Sequence, residues 1–243
     1  MTHFDQSRVR NLLLERLPPE AFEELRPAMV AIDLPIRHEI VRANELTSHV
    51  CFIESGLASV VATTRDEEAI EVGHIGCEGL SGVNIVLKVD RTPNRTFMQV
   101  SGHGISVPVA AFASMLANNP DANDLMLKYV HCAELQLSHS ALANARYKMH
   151  ERLARWLLMC HDRLSTDDLP LTHEFLSVML GVRRSGITNE LHIIEGMRVI
   201  KATRGNIRVL SRSGLEEIAG GSYGTPEKEY ERLMGTWLHS RRA

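Results

Sequence analysis

The sequence predicts an α+β protein in three parts: an N-terminal antiparallel β domain, a long helix, and a C-terminal helix-turn-helix with a β wing. Three observations carry this. Short β-rich runs punctuated by glycine fill residues 32–108. Residues 121–163 contain neither proline nor glycine and are rich in Leu, Ala, Met, Glu, Lys and Arg. Residues 172–210 hold two short helical segments about Gly181, then two β runs about a tight turn.

Residues 8–28 read as a helical lead-in, with Val9, Leu12, Leu13, Leu17, Phe22 and Leu25 spaced around Pro18-Pro19. The β-rich runs are 50–53, 57–61, 70–72, 97–100 and 105–107, with Gly73, Gly76, Gly79 and Gly82 closely spaced between the third and fourth. Many short strands with turn residues between them predict an antiparallel sandwich or barrel. After Pro120 the period changes to that of a helix. Val130, Ala133, Leu137 and Ala141 form one stripe at helical spacing, crowded by small residues. Such a stripe packs closely, either on its own domain or across a two-fold seam. Forty residues exceed one ordinary core helix, so a break is expected near 144–148. A second helix over 152–162 then places Leu153, Trp156, Leu157 and Cys160 on one side.

Thr172 is a good N-cap for a helix running to Leu180. Ser177 is small where two helices would touch, and Gly181 supplies the turn. The runs 199–203 and 207–210 about Arg204-Gly205-Asn206 predict a hairpin wing.

At 243 residues and 44% hydrophobic content the chain can bury a real core. It has no apolar run long enough to span a membrane. Residues 1–16 lack the apolar core of a signal peptide, so a cytoplasmic location is expected. Cys51, Cys77, Cys132 and Cys160 form no C-x-x-C pair and are read as buried thiols. The formal charge is −3, unevenly divided: residues 1–130 carry −6, whereas 172–212 hold seven basic and three acidic residues. A basic segment on an acidic body is an electrostatic footprint for a polyanion.

The stretch Leu171-Thr172-His173-Glu174-Phe175-Leu176-Ser177-Val178-Met179-Leu180-Gly181-Val182-Arg183-Arg184-Ser185 resembles the helix-turn-helix of the CRP/FNR family of bacterial transcription regulators. The order of parts over about 32–210 is similar to that family as well. The resemblance implies an N-terminal cyclic-nucleotide-binding-like jelly roll (1–120), a dimerisation helix and hinge (121–147), a winged helix-turn-helix (148–220) and a helical tail (221–243). It implies a homodimer on palindromic double-stranded DNA, with RNA polymerase as a partner, no membrane and no cofactor.

Carried over residue by residue, Arg184 falls where the family reads guanine. Ser185 stands where the family often has glutamate, and Asn189 where the cAMP receptor protein has arginine. Arg to guanine and Asn to adenine are the natural major-groove pairings. Thr172, Arg183, Thr188 and the wing's Arg204 complete the expected DNA-binding set. Arg183 replaces the usual Ser or Thr cap, and Gly186 in the first turn costs about 1 kcal/mol against Ala. Glu190 replaces an apolar residue, leaving Leu191 to pack.

The sensor departs further from the family. Gly79-Leu80-Ser81-Gly82 puts Leu80 where a glutamate would take the ribose hydroxyl. Arg95-Thr96 resembles the phosphate-holding Arg-Ser pair, and Ser138-His139 the adenine-contacting pair on the long helix. The expected reading is a regulator not controlled by cyclic AMP. Residues 1–30 hold no cysteine, against the family's iron–sulfur branch. His74 and Cys77 are the remaining ligand candidates, but a turn with a buried thiol is the simpler reading. The alternative function is a small-ligand sensor, for a cyclic nucleotide or other anion, acting mainly through protein contacts; such a module needs no paired Arg183-Arg184. Catalysis is not expected, since no nucleophile–base set, phosphate loop or H-E-x-x-H is present.

Overall fold

The computed structural model describes residues 4–66 and 68–238. The ends of the expected first and last segments, 1–3 and 239–243, lie outside the described residues. The chain divides into two compact units: residues 1–60 with 75–133, and residues 61–74 with 134–243.

The first unit opens with α1 (Leu12–Arg16) and α2 (Pro19–Leu25), broken at the proline pair. Asn11 caps α1: its side-chain oxygen accepts from the Leu13 and Leu14 amides. Its amide donates to the carbonyls of Ile53 and Gly79 at 2.9 and 2.7 Å. Every polar group of a fully buried asparagine is therefore used, as burial demands. The strands are β1 (Val30–Leu34), β2 (Glu39–Val41), β3 (His49–Ile53), β4 (Leu57–Thr63), β5 (Ala69–Ile75), β6 (Arg95–Val100) and β7 (Gly102–Pro108). They form two sheets, ordered β1-β7-β3 and β2-β6-β4-β5. Beside β7, β1 runs antiparallel with Ile32 opposite Gly104, and β3 with Cys51 opposite Ser106.

The core draws on both sheets: Leu34, Cys51 and Ile53 from one, Ala58, Ile75 and Met98 from the other. Burial pushes the Cys51 thiol up to about 12, so it behaves as a small apolar group. Short helix α3 (Val83–Val86) follows the glycine-rich turn, and α4 (Val109–Asn118) sets Phe112 edge-on to Phe52 at 6.0 Å.

Helix α5 (Pro120–Arg146) begins in the first unit and ends in the second. Ala122, Met126, Tyr129, Cys132 and Ala143 are buried, whereas Leu127, Leu137 and Leu142 are exposed. The expected break falls at Tyr147-Lys148, before α6 (Met149–Leu164).

In the second unit α6 is buried along its whole middle, from Leu153 to Arg163. β8 (Asp168–Leu169), α7 (His173–Met179), α8 (Arg184–Gly196), β9 (Ile200–Thr203), β10 (Asn206–Val209), α9 (Arg212–Ala219) and α10 (Thr225–Met234) follow. The wing is a three-stranded sheet, β8-β10-β9, with Ile207 paired to both Leu169 and Ala202.

Candidate nucleic-acid interface

The helix-turn-helix is built locally. The Thr172 hydroxyl accepts from the Phe175 amide at 3.1 Å and starts α7. Gly181 ends it with φ of 64°, a left-handed conformation that disfavours other residues. A Cβ there would also crowd Ile70 on the β4–β5 hairpin, at 3.3 Å. Ser177 is buried between the helices, its hydroxyl donating to the Glu174 carbonyl at 2.6 Å. Ile187, Leu191 and Ile194 are fully buried along one side of α8, so Leu191 does the packing while Glu190 is turned half outward.

The opposite side of α8 is solvent-facing. Arg183, Arg184, Ser185 and Asn189 are exposed, and so is Arg204 in the wing turn. Arg183 stands at the N-cap with no side-chain cap bond, which leaves the first amides of α8 open, an arrangement suited to phosphate. Thr188 behaves differently from its neighbours. It is half-buried, donates to the Arg184 carbonyl at 3.2 Å and lies 3.0 Å from His173 Nδ1. Its hydroxyl thus ties the two helices together. Burial, then the charges of Arg184 and His192, hold the His173 imidazole below its usual range, which keeps it neutral beside the arginine.

Beneath this surface lies a charged core the sequence did not announce. Asp162, 1% exposed, pairs with Arg212 at 2.8 Å and accepts from the Tyr223 hydroxyl at 2.6 Å. Arg212 also donates to that hydroxyl at 2.7 Å and pairs with Glu216 at 2.9 Å. His161 lies 2.9 Å from Asp167, and Arg163 covers the Trp237 ring at 5.4 Å. Burial, reinforced by Asp162, raises the Glu227 carboxyl above its ordinary value. α6 supplies His161, Asp162 and Arg163 to this network. On another side, Trp156 Nε1 donates to Glu71 Oε1 at 2.6 Å, and His74 Nε2 meets the same oxygen at 2.6 Å. His74 is thus engaged by a carboxylate, and Cys77 is buried. Among the described residues no three His, Cys, Asp or Glu gather as a metal site.

The effector candidates divide between the units. Gly79, Leu80, Arg95 and Thr96 belong to the first, Ser138 and His139 to the second. Leu80 is fully buried. The Tyr129 hydroxyl donates to its carbonyl at 3.3 Å, and a Cβ on Gly79 would overlap the tyrosine ring and hydroxyl. The space beside the Gly79-Leu80 turn is therefore filled by the protein's own side chain. Arg95 is half-buried over the Phe97 ring at 5.1 Å, its Nε without a partner. Ser138 is exposed and bonded to the Glu134 carbonyl, 3.0 Å away. His139 is half-buried, and burial followed by the Arg155 charge holds it below its usual range.

Residues 151–218 match the family model described as the Crp-like helix-turn-helix domain. No curated relative matches the chain. Among solved structures, a transcriptional regulator of the Crp/Fnr family from Eubacterium rectale is 14% identical with a TM-score of 0.68, covering 85% of this chain and 97% of that one. FixK2 from Bradyrhizobium japonicum is 12% identical with a TM-score of 0.68, covering 79% and 98%. The c-di-GMP-responsive global regulator CLP of Xanthomonas campestris is 13% identical with a TM-score of 0.64, covering 79% and 99%. Among the described residues no helix is long and apolar enough to cross a membrane. Residues 151–218 thus form a Crp-like helix-turn-helix domain, and the chain has the fold of the Crp/Fnr-family structures it resembles.

Proposed function

We propose that the protein is a dimeric, sequence-specific DNA-binding regulator that reads a palindromic operator and does not answer to cyclic AMP. The observation that carries this reading is the exposed polar face of α8, where Arg183, Arg184, Ser185 and Asn189 surround its N-terminus with Arg204 alongside in the wing. Arg184 reads guanine and Asn189 adenine by bidentate hydrogen bonds in the major groove. Arg183 and Arg204 hold phosphates. Thr188, already bonded to α7, positions α8 rather than reading a base. Two copies joined through the exposed leucines of α5 place two such helices one turn of DNA apart. RNA polymerase is the protein partner such a regulator would meet at a promoter.

Fluorescence anisotropy on a selected operator tests this. Arg184→Ala loses about 1–3 kcal/mol of discrimination per half-site. Arg204→Ala weakens all sequences alike and lowers the log–log salt slope by about 1 per contact. Unchanged base preference in Arg184→Ala would remove α8 from the major groove.

Independence from cyclic AMP rests on Leu80 and Tyr129. An apolar side chain stands where a carboxylate would meet the ribose, and the tyrosine fills the adjoining space. Losing one charge-assisted hydrogen bond and leaving a hydroxyl unpaired costs about 10²–10⁴ in affinity. Isothermal titration with cyclic AMP and cyclic GMP will give no heat at micromolar protein. Micromolar binding coupled to operator affinity would contradict the reading.

A further inference from the structure

His173 and Thr188 join the two helices of the helix-turn-helix, and the way they share protons leaves one ring nitrogen open. The Thr188 hydroxyl has a single proton, which it donates to the Arg184 carbonyl at 3.2 Å. It therefore accepts from His173 Nδ1, 3.0 Å away, so the neutral ring carries its proton on Nδ1. Nε2 is left with a lone pair and has no hydrogen-bond partner among the described residues. A proton added at Nε2 keeps the Nδ1 bond to Thr188 intact. The tie between α7 and α8 thus holds in both charge states of the ring.

The surroundings of the ring lack an anion. His173 is half-buried at the start of α7, between exposed Thr172 and exposed Glu174. On α8, Arg184, Thr188 and His192 follow at four-residue spacing along one side. Arg184 and His192 are exposed there, and both act on the ring against a charge, after burial, which acts most. No carboxylate among the described residues pairs with it. A DNA phosphate beside Arg184 would supply the counter-charge the free protein lacks, and a charged imidazole would give that phosphate a strong donor.

We propose that His173 is a proton-linked DNA contact, which takes up a proton at Nε2 and donates it in a hydrogen bond to a backbone phosphate when α8 enters the operator. This rests on the operator reading and adds a dependence on pH to it. The DNA-bound ring keeps its proton to a higher pH than the free ring does. Operator affinity is therefore greatest in mild acid, and the gain is lost as pH rises through the raised value of the bound ring. Each protomer contributes at most one such proton.

Isothermal titration of the full-length protein with a selected operator duplex, at about pH 6.5 in two buffers of different ionisation enthalpy, counts the protons taken up. A substantial fraction of one proton per protomer is expected, with binding about fivefold or more tighter at about pH 6 than at about pH 8. His173→Gln keeps a donor for Thr188 but cannot ionise. It should lose most of the uptake and hold its affinity within about twofold across the same range, whereas His192→Gln should retain both effects. Imidazole nitrogen NMR of the wild type assigns the proton without any substitution: His173 Nε2 should become protonated when operator is added. Operator binding without proton uptake, uptake unchanged in His173→Gln, or a His173 Nε2 that stays unprotonated overturns the proposal and leaves the operator reading standing. No operator binding at either pH overturns that reading and this proposal with it.

Discussion

Leu137→Glu will turn the protein into a folded monomer that has lost its operator. Leu137 is 45% exposed on α5, with exposed Ala141 a turn farther on along the same side. Its exposed position lets a glutamate replace it within the folded chain, so the circular dichroism spectrum should not change. Across a two-fold seam the substitution faces its own copy, and two carboxylates would have to be desolvated side by side. A monomer then meets each half-site separately. Joining two half-sites is worth about 10²–10⁴ in affinity without any new contact, and that factor is what the variant forfeits. Sedimentation or light scattering with anisotropy on the same samples checks both halves. A variant that stays dimeric, or a monomer with undiminished operator affinity, contradicts the expectation.

Asp162→Asn will cost about 3 kcal/mol of stability in the second unit. Removing one partner of a buried ion pair costs about 3–5 kcal/mol, because the other charge is stranded. The lower end applies here, since asparagine still accepts from Tyr223 and Arg212 keeps Glu216. Trp156 and Trp237, the chain's two tryptophans, both lie in this unit, so urea unfolding followed by fluorescence reports it directly. Tyr223→Phe, which removes only the hydroxyl, is the milder companion at about 1 kcal/mol. A loss under 1 kcal/mol for Asp162→Asn would mean that the pair adds little to stability.

Helix-turn-helix and wing were legible because their signals are local. A threonine cap, a small residue at the crossing, a glycine with positive φ and a two-residue wing turn all fall within forty residues. The break after α5 was legible as well, since a helix of forty residues has nothing to pack against along its whole length. Strand β8 was not, because two residues carry no period; only its pairing with β10 defines it. Asn11 reads as one polar residue in a lead-in, and its partners lie 42 and 68 residues away. The buried charges of α6 carry no local signal for the same reason. Arg212 and Tyr223, which hold Asp162, come 50 to 61 residues later, beyond any pattern window. At the interface the surface residues were found by spacing, but spacing could not tell Thr188 from Asn189. One is turned toward His173 and the other toward solvent.

The packing of Tyr129 against Gly79 and Leu80 also bears on how such a chain can change by mutation. Leu80→Glu alone would put a carboxylate into a fully buried position beneath an occupied space, with no ligand to meet it. Replacing Tyr129 with a small residue alone would open a void costing about 3–5 kcal/mol, more than many domains can lose. Either step is penalised until the other has occurred. Gly79 cannot relieve the conflict, since any side chain there strikes the tyrosine. If this space is closed to nucleotide as proposed, the two substitutions are coupled, and selection acting one change at a time would favour neither.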